Sequence, residues 1–516
     1  MEKEISLAEY NFSLNTRLKK LLSNTYMLIG FIITLSVCLR VYCGEVFDNG
    51  GDAFWMWRVC REFMENGTAF APPGNWDHRM LRWALYLPMM LLLKIFGGGP
   101  IAYFTYPIFV TTLSAILIFF IGKKLHSKTA GLFASVIFTL YPTIVEQGSQ
   151  ILPTGTVTMC LLGSILCLLY WQEKNKWYWL AISSFLVFWG YGAKITMLFF
   201  VPGIVLYLIY VQYQKKSVPG IIKSLAIFGL VFIVLLTVET AVFEKITTFD
   251  GGRLGCLIHG RHGSSSKMVD KLGYSGWQVK ADNLPSYLLY FSGYDEYAGD
   301  TNAALINLGI LAAIVIVLLK QRHLYAIAYP YIVAYLLFTY LVVGVYPFVR
   351  PERILERYYN MLYTLSIIMQ IVLYMQISNN FIIKLKTKSN QIFNVRVATN
   401  ILLCFIFMVI FAEIPKPTNN LRLMSQNYNS VKKARQENIP ILMTKKNISK
   451  DFKQIKRYRS FYGKTDESFY SRPKIVKIVK DNETQEYYLL EHGQTQTAYL
   501  LVEPEKEFKT YGLRTK

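Results

Sequence analysis

The sequence has few charged residues for its length and lacks the motifs of the common soluble enzyme classes. Only 17% of its 516 residues are Asp, Glu, Lys or Arg, whereas a soluble chain carries about a quarter. It contains no P-loop, no GxGxxG and no HExxH. Its seven cysteines show no CxxC pair and no zinc-ligand spacing. An ordinary soluble enzyme is therefore excluded, and no metal-ligating residue is assigned.

Long apolar blocks take the place of the missing charge. Hydrophobic residues make up 53% of the chain and fall into blocks of roughly twenty residues, long enough to cross a hydrocarbon core of about 30 Å. The blocks predict a polytopic α-helical membrane protein with about eleven transmembrane helices. The predicted spans are 24–43, 101–121, 130–147, 150–171, 177–193, 195–212, 221–243, 301–319, 324–345, 357–378 and 397–413.

The basic residues between the blocks predict the orientation. The net charge is +22, and cytoplasmic loops of membrane proteins are enriched in Lys and Arg, so no nucleic-acid partner is implied. With the N-terminus inside and 24–43 as a signal anchor, every inside loop is basic. These loops contain Lys123, Lys124, Lys128, Lys174, Lys176, Lys215, Lys216, Lys223, Lys320, Arg322, Lys384, Lys386, Lys388 and Arg396. An odd number of spans places the C-terminus outside.

Three outside segments break the basic-inside pattern. The first, 44–100, contains two stretches, 52–66 and 80–96, that we predict to lie as amphipathic helices on the membrane surface, because spanning would invert every later loop. The second is the long Gly- and Ser-rich loop 244–300. The third, 346–357, places Arg350, Arg353 and Arg357 directly before a span.

The chain divides into two predicted domains. Residues 1–413 form the transmembrane domain, which includes the first loop 44–100 and the long loop 244–300. Residues 414–516 form a small α+β domain on the extracytosolic side, with a helix near 425–438 followed by alternating segments around turn signals. A segment of roughly 100 residues is long enough to form its own core.

Two acidic residues follow the first span. Asp52 opens the surface helix 52–66, where a carboxylate at the membrane face is placed to take a proton from an acceptor hydroxyl. Asp is also a preferred helix N-cap, and the two roles are compatible. Asp48 is the second candidate.

Several motifs resemble the GT-C glycosyltransferases, and more narrowly the protein O-mannosyltransferases and the lipid A aminoarabinose transferase. The first loop resembles theirs in GDAFWMWRVCREFMENG and HRMLRWALYLPMMLLLKIFG. The later spans resemble theirs in LFASVIFTLYPTIVEQGSQILPTGTVTMCLLGSILCLLYW, in WLAISSFLVFWGYGAKITMLFFVPGIVLYL and in ERYYNMLYTLSII. Two positions depart from the family: Thr154 follows Pro153 where many members have an acid, and Ala53 follows Asp52 where many have a second acid.

The resemblance implies a polyprenyl-phosphate-linked sugar donor and inversion at the anomeric carbon. Lys194 matches a basic residue between two spans, and Arg357 and Tyr358 match an Arg-Tyr pair that enters a late span. A phosphate leaving group needs cations, and arginine grips two oxygens at once. We therefore assign Arg350, Arg353, Arg357, Tyr358 and Lys194 to the donor phosphate, with interfacial snorkelling as the alternative.

Further candidates for substrate contact lie in the two larger outside loops. Glu146 and Glu239, near the outside ends of spans, are acids of the kind that often mark function inside membranes. No cofactor is assigned, and a divalent metal stays open. The loop candidates are Asp48, Arg79, Arg82, His259, Arg261 and His262.

Together these features predict a multi-pass membrane glycosyltransferase in a bacterial cell membrane or a eukaryotic ER membrane. It would move one sugar from a polyprenyl phosphate to a hydroxyl of a lipid, glycan or protein acceptor on the extracytosolic face. The alternatives are a polyprenyl-glycan transporter or flippase, which also needs outward cations and many spans, and a glycan polymerase or ligase, which also has a long outside loop with Arg and His.

Overall fold

The structure, a computed structural model, describes residues 24–43, 81–97, 100–246, 321–345 and 361–376, some single helical residues between 53 and 64, Arg253, and four strands after residue 440. Within these ranges the fold is helical up to residue 376. The α-helices are α1 Thr25–Cys43, α2 Trp83–Phe96, α3 Pro100–Leu125, α4 Lys128–Leu140, α5 Pro142–Gln147, α6 Pro153–Lys174, α7 Trp177–Ala193, α8 Val201–Gln214, α9 Val218–Ile246, α10 Tyr325–Val345 and α11 Met361–Gln376. The 3₁₀ helices Ile195–Phe200 and Arg322–Leu324 precede α8 and α10.

The chain is a multi-pass integral membrane protein. Five segments in the described part of the chain are long and apolar enough to cross a membrane: α1, Ile101–Leu125 in α3, α6, Ile195–Gln214 and Val218–Lys245 in α9. Along α9 the side chains of Leu230, Ile233 and Val238 are exposed, as expected where a helix faces lipid. Of the predicted spans, 301–319 and 397–413 lie outside the described residues.

Two predicted spans begin or end differently in the structure. The block 130–147, predicted as one span, is interrupted after Leu140, so that α4 and the short α5 are separate helices. Pro142 lacks an N–H and disfavours the helical conformation of the preceding residue, and Tyr141 accordingly has φ −58° and ψ 124°. The block 150–171 becomes helical only at Pro153, which opens α6 at a position that proline favours. The end of α4 and the start of α6, where the structure differs from the prediction, lie at the same end of the helices.

Glycines allow three helix pairs to approach closely. A Cβ on Gly122 of α3 would lie 2.7 Å from the Cα of Gly131 in α4, and a Cβ on Gly203 of α8 would lie 2.4 Å from the Cα of Pro330 in α10. Small residues serve this purpose in membrane helices, where packing rather than the hydrophobic effect drives association. The third pair, α2 with α7, positions the candidate site described below.

The predicted inside loops meet at one end of the helices. Lys124 at the end of α3 pairs with Glu173 at the end of α6, and Nζ of Lys215 lies 3.4 Å from Oδ1 of Asn175. His323 contacts Gln376, with 2.7 Å between their side-chain nitrogens. Burial, and secondarily the charge of His126, lowers the pKa of His323. The shared location of these loops agrees with the charge pattern used to predict the orientation.

The first predicted surface helix is anchored in the fold. Ala53, Met56, Trp57 and Cys60 are helical and buried, and they pack in one cluster with α2 and α3. The second, α2, begins at Trp83 rather than near residue 80 and has 14 residues. At 1.5 Å per residue it is too short to cross a core of about 30 Å. Its length is compatible with the predicted surface location.

The C-terminal residues that the structure describes form a small sheet. Strands β2 Tyr470–Lys480 and β3 Glu483–His492 pair antiparallel, and β4 Ala498–Tyr499 pairs antiparallel with β3. The sequence did not predict β1 Ile441–Leu442, which pairs parallel with β3. The helix near 425–438 lies outside the described residues, so the α+β domain stays a prediction.

We expect cysteine-accessibility labelling to find introduced cysteines in 244–300 and 414–516 on one side of the membrane, and cysteines beside Lys123 on the other. The reason is that every predicted inside loop is basic and inside loops carry the positive charge. Labelling of the tail from the same side as Lys123 would mean that the predicted number of spans is wrong by an odd number.

Candidate active site

Four side chains from separate parts of the chain form a buried polar cluster at the end opposite the Lys124–Glu173 pair. Trp83 is the first residue of α2, Tyr191 lies in the last turn of α7 and Glu239 lies two turns before the end of α9. Arg253 follows α9. We call these four residues the Arg253 cluster. It joins three helices that are far apart in the sequence.

Arg253 is the centre of the cluster. Its guanidinium, only 2% exposed, contacts Glu239 with 3.3 Å between Nη1 and Oε1. Its Nη2 donates a hydrogen bond of 2.8 Å to the backbone oxygen of Tyr191, and its Cζ lies 4.4 Å from the centre of the Tyr191 ring. Arginine is suited to such a site because its planar group can bind a carboxylate and stack on an aromatic ring at once.

Glu239 connects Arg253 to α2 through its carboxylate. Its Oε1 also accepts a hydrogen bond from the indole N–H of Trp83. The Trp83 ring is held in turn by Phe188 and Trp189 of α7, at centroid distances of 5.6 and 5.1 Å. A buried carboxylate is costly unless it is paired and hydrogen-bonded, and both conditions are met at Oε1.

The cluster retains polar atoms for further bonds. Within the described part of the chain, Oε2 of Glu239, Nε of Arg253 and the hydroxyl of Tyr191 have no hydrogen-bond partner. They comprise an acceptor, a charged donor and a group that does both. Buried polar groups are normally satisfied. This combination suits a ligand that carries both hydroxyls and an anionic oxygen.

Two predicted site residues adjoin the cluster along the chain. Lys194 follows Tyr191 by three residues and lies, half-buried and extended, between α7 and the 3₁₀ helix Ile195–Phe200. Arg82 precedes Trp83, is buried, and places its Nη1 3.6 Å from the sulfur of Met56 in the first loop. The structure thus places these two predicted cations beside the cluster in sequence, at the ends of α7 and α2.

The remaining predicted site residues lie outside the described residues. They are Asp48, Asp52, Arg79, His259, Arg261, His262, Arg350, Arg353, Arg357 and Tyr358. For Asp52, the structure describes its neighbour Ala53, which is helical and fully buried. In the described ranges, no group of three His, Cys, Asp or Glu is placed to hold a metal ion.

Sequence analysis missed half of the cluster. Trp83 and Tyr191 carry no signal among so many aromatic residues, since 15% of the chain is Phe, Trp or Tyr. In the sequence Glu239 stands out only as an acid near a span end, and Arg253 is only one of several basic residues of the long loop 244–300. Gly192 was not singled out, although its position beside Trp83 is what lets α2 approach α7.

We expect Gly192→Ala to destabilise the site. The added Cβ would lie 2.5 Å from Cζ2 of Trp83 and 3.0 Å from Cβ of Ala84, so α2 has to shift, and overpacking of this kind costs about 1–3 kcal/mol. Gly229→Ala in α9 is the matched control, because nothing lies within 4 Å of its added Cβ. Thermal unfolding in detergent compares the two. Equal stability of both variants would show that the Trp83 contact is not tight.

Comparison with known families finds a match over a segment that contains Trp83, Tyr191 and Glu239 but not Arg253. Residues 83–239 match the family described as dolichyl-phosphate-mannose-protein mannosyltransferase. The match covers less than a third of the chain. It begins at Trp83 and ends at Glu239, the two side chains joined by a hydrogen bond in the cluster. No curated protein sequence matches the chain.

Solved structures share the fold at low sequence identity. The apo oligosaccharyltransferase of Archaeoglobus fulgidus has a TM-score of 0.51 and 11% identity, over 84% of this chain and 59% of that one. The same enzyme tethered to an acceptor peptide gives a TM-score of 0.51 and 13% identity, over 84% and 58%. The chain therefore spans little more than half the length of these proteins.

The resemblance to the GT-C glycosyltransferases is confirmed. It rests on the mannosyltransferase match and on the shared fold. The aminoarabinose transferase ArnT of Cupriavidus metallidurans, bound to undecaprenyl phosphate, matches with a TM-score of 0.43 and 11% identity over 80% of this chain and 72% of that one, which is too low to add to the argument.

Proposed function

We propose that the protein is an inverting glycosyltransferase that moves one sugar from a polyprenyl-phosphate donor to a hydroxyl acceptor on the extracytosolic face of the membrane. The observation that carries the proposal is the buried Arg253–Glu239 pair, which Trp83 and Tyr191 contact and whose Glu239 belongs to the segment that matches the mannosyltransferase family. The solved relatives share the fold, and the residues of this chain supply the chemistry.

The donor phosphate is bound by cations. When the bond from the anomeric carbon to the phosphate oxygen breaks, negative charge develops on the lipid phosphate, and fixed cations lower the barrier most where that charge appears. Arg253 has an unsatisfied Nε, and Lys194 lies three residues from Tyr191. Further phosphate ligands in this proposal are Arg350, Arg353 and Arg357. The leaving group is then polyprenyl phosphate, which needs no proton.

Acidic side chains act on the hydroxyls. The acceptor oxygen attacks the anomeric carbon from the face opposite the phosphate, so the configuration inverts, and its proton passes to Asp52. The neighbour of Asp52, Ala53, belongs to the buried cluster that joins the first-loop helix to α2, and α2 in turn begins at Trp83. The unpartnered Oε2 of Glu239 is suited to accept a hydrogen bond from a hydroxyl of the sugar.

A transfer assay tests the proposal against its alternatives. The full chain in detergent is mixed with polyprenyl-phosphate hexoses and a panel of lipid, glycan and peptide acceptors, and free polyprenyl phosphate is measured. Release of polyprenyl phosphate together with a glycosylated product supports a transferase. Binding without turnover across the panel would favour the transporter, and transfer of a preassembled glycan alone would favour a polymerase or ligase.

Replacing Arg353 or Arg357 with Ala is expected to weaken donor binding by roughly ten- to a hundredfold, because a hydrogen bond to a charged group is worth about 1.5–3 kcal/mol. Lysine at either position should restore only part of the donor affinity, because it keeps the positive charge but lacks the planar guanidinium group that binds two oxygens at once. The dissociation constants of donor and of free polyprenyl phosphate should rise together. Normal binding of both ligands would mean that these arginines only anchor the span to headgroups.

A further inference from the structure

A cavity that is partly open to solvent lies between α3, the residues that connect α5 to α6, and the start of α6. Apolar atoms form more of its surface than polar atoms do, but several polar side chains reach it. No acidic side chain lines it among the residues that the structure describes. We call it the Gln150 cavity. The polar residues that line it include Thr111, Ser114, Gln147, Gln150, Thr154 and Thr158.

Gln150 lines this cavity, and its side-chain oxygen has no hydrogen-bond partner among the described residues. The residue is only 2% exposed, and its backbone is already engaged: its N–H donates to the oxygen of Gln147 at 3.1 Å and its own oxygen accepts from Leu152 at 2.8 Å. An unsatisfied buried acceptor costs about 1–3 kcal/mol. A ligand with a hydroxyl at this position would satisfy it.

Arg40 places a buried positive charge behind the wall of the cavity. The side chain belongs to α1 and is 1% exposed. Its Nη1 donates to the backbone oxygens of Ser36 and Thr139, each at 3.2 Å. Its Nε and Nη2 have no partner within the described part of the chain. Ionisable groups inside a membrane are costly and commonly mark functional sites.

Gly148 brings this charge close to the cavity. A Cβ built on Gly148 would lie 3.0 Å from Nε of Arg40 and 3.0 Å from Cγ2 of Thr111. Gly148 and Thr111 both line the cavity, and the Thr111 hydroxyl donates to the Gly148 oxygen at 3.1 Å. The wall between cavity and guanidinium is therefore only a glycine backbone thick. A side chain at this position would separate the two.

We propose that the Gln150 cavity is a second binding site, for an anionic group that also carries hydroxyls, such as a sugar carboxylate or a sugar phosphate. The charge of Arg40, which pairs with no acidic side chain among the described residues, selects the negative charge, while Gln150 and the threonine oxygens accept hydrogen bonds from hydroxyls. The site is built from α1, α3 and α6, whereas the Arg253 cluster is built from α2, α7 and α9. The bound group is the acceptor if the proposed glycosyl transfer holds, and this role rests on the proposed function, whereas the binding itself does not.

Ligand-dependent thermal unfolding of the full chain in detergent tests this site without donor or turnover. The probes are D-glucuronate, D-glucose 6-phosphate and, as the neutral counterpart, D-glucose. A ligand that binds only the folded state raises the unfolding temperature with its concentration. We expect a saturable rise with at least one anionic sugar and no comparable rise with glucose. The more effective anion identifies the charged group as a carboxylate or a phosphate.

Gln150→Glu and Arg40→Gln each change the charge of the site by one unit, and we expect each to raise the dissociation constant of the anionic sugar by roughly ten- to a hundredfold. Gln214→Glu makes the same change at an exposed position near the end of α8 and should leave binding unchanged. Arg40→Gln can fail to fold, so the dissociation constant of Gln150→Glu is the result that decides whether the site binds the anionic sugar. Equal effects of glucose and the anions, no effect of any probe, or unchanged binding in Gln150→Glu would each overturn the proposal. If the wild-type chain binds the anionic sugar but shows no turnover of a polyprenyl-phosphate donor, only the proposed glycosyl transfer is overturned.

Discussion

Replacing Asp52 with asparagine is expected to reduce glycosyl transfer by about 10² to 10⁴, the range that a positioned general base contributes. Asparagine keeps the shape of the side chain and most of its capacity to cap a helix, but it cannot take the proton of the acceptor hydroxyl. Expression, thermal stability and donor binding should therefore stay close to those of the wild type. Single-turnover kinetics with a polyprenyl-phosphate sugar measure the effect.

Asp48→Asn makes the same chemical change at the second candidate base, four residues earlier in the same loop. It should reduce transfer much less than Asp52→Asn does, because Asp52 takes the proton. If Asp52→Asn keeps near-full turnover, Asp52 serves only as a helix cap. Asp48 then becomes the residue to test, and loss of activity in Asp48→Asn alone would transfer the role of base to it.

The buried pair of Arg253 and Glu239 provides the second large effect. Removing one member leaves the other as an unpaired buried charge, which costs about 3–5 kcal/mol. Glu239→Gln and Arg253→Met should therefore each lower the stability strongly. The double variant Glu239→Leu with Arg253→Met should regain much of it, because replacing both charges with apolar side chains is often neutral. Thermal unfolding in detergent compares the three variants.

Donor binding separates structure from function in the same series. If Arg253 holds the donor phosphate, the double variant should be stable but bind polyprenyl phosphate weakly. Glu173→Gln is the control, because it breaks the exposed Lys124–Glu173 pair, and exposed pairs contribute little. A stable double variant with normal donor binding and turnover would show that the Arg253–Glu239 pair is a purely structural contact.

The sequence predicts the helices well where charge and apolar length agree. The block 177–193 lies between Lys176 and Lys194, and α7 has those bounds. Hydropathy does not show the break between α4 and α5, because residues 130–145 are largely apolar on both sides of it and a count of apolar residues ignores the backbone constraint of Pro142. Short-range steric effects of this kind decide helix ends, whereas hydropathy decides only that a segment is in the membrane.

The candidate site is less predictable because it is built across long separations in the chain. Lys194 and Arg82 stand out as charges in apolar surroundings. The pairing of Glu239 with Arg253, and of both with Trp83, depends on how α2, α7 and α9 pack, which no local pattern encodes. Arg40, by contrast, can be recognised in the sequence as an unusual residue. It is a positive charge at the predicted outer end of the first span, against the orientation rule.

The most direct test of the proposed chemistry is the product balance of one turnover. A doubly labelled donor, with one label on the sugar and one on the lipid phosphate, is converted by the full chain, and both products are isolated. The proposal predicts one free polyprenyl phosphate for each sugar transferred, with the anomeric configuration inverted in the product. Retained configuration would contradict the single displacement. Intact donor recovered on the opposite face of a vesicle, with no glycosylated product, would contradict glycosyl transfer itself.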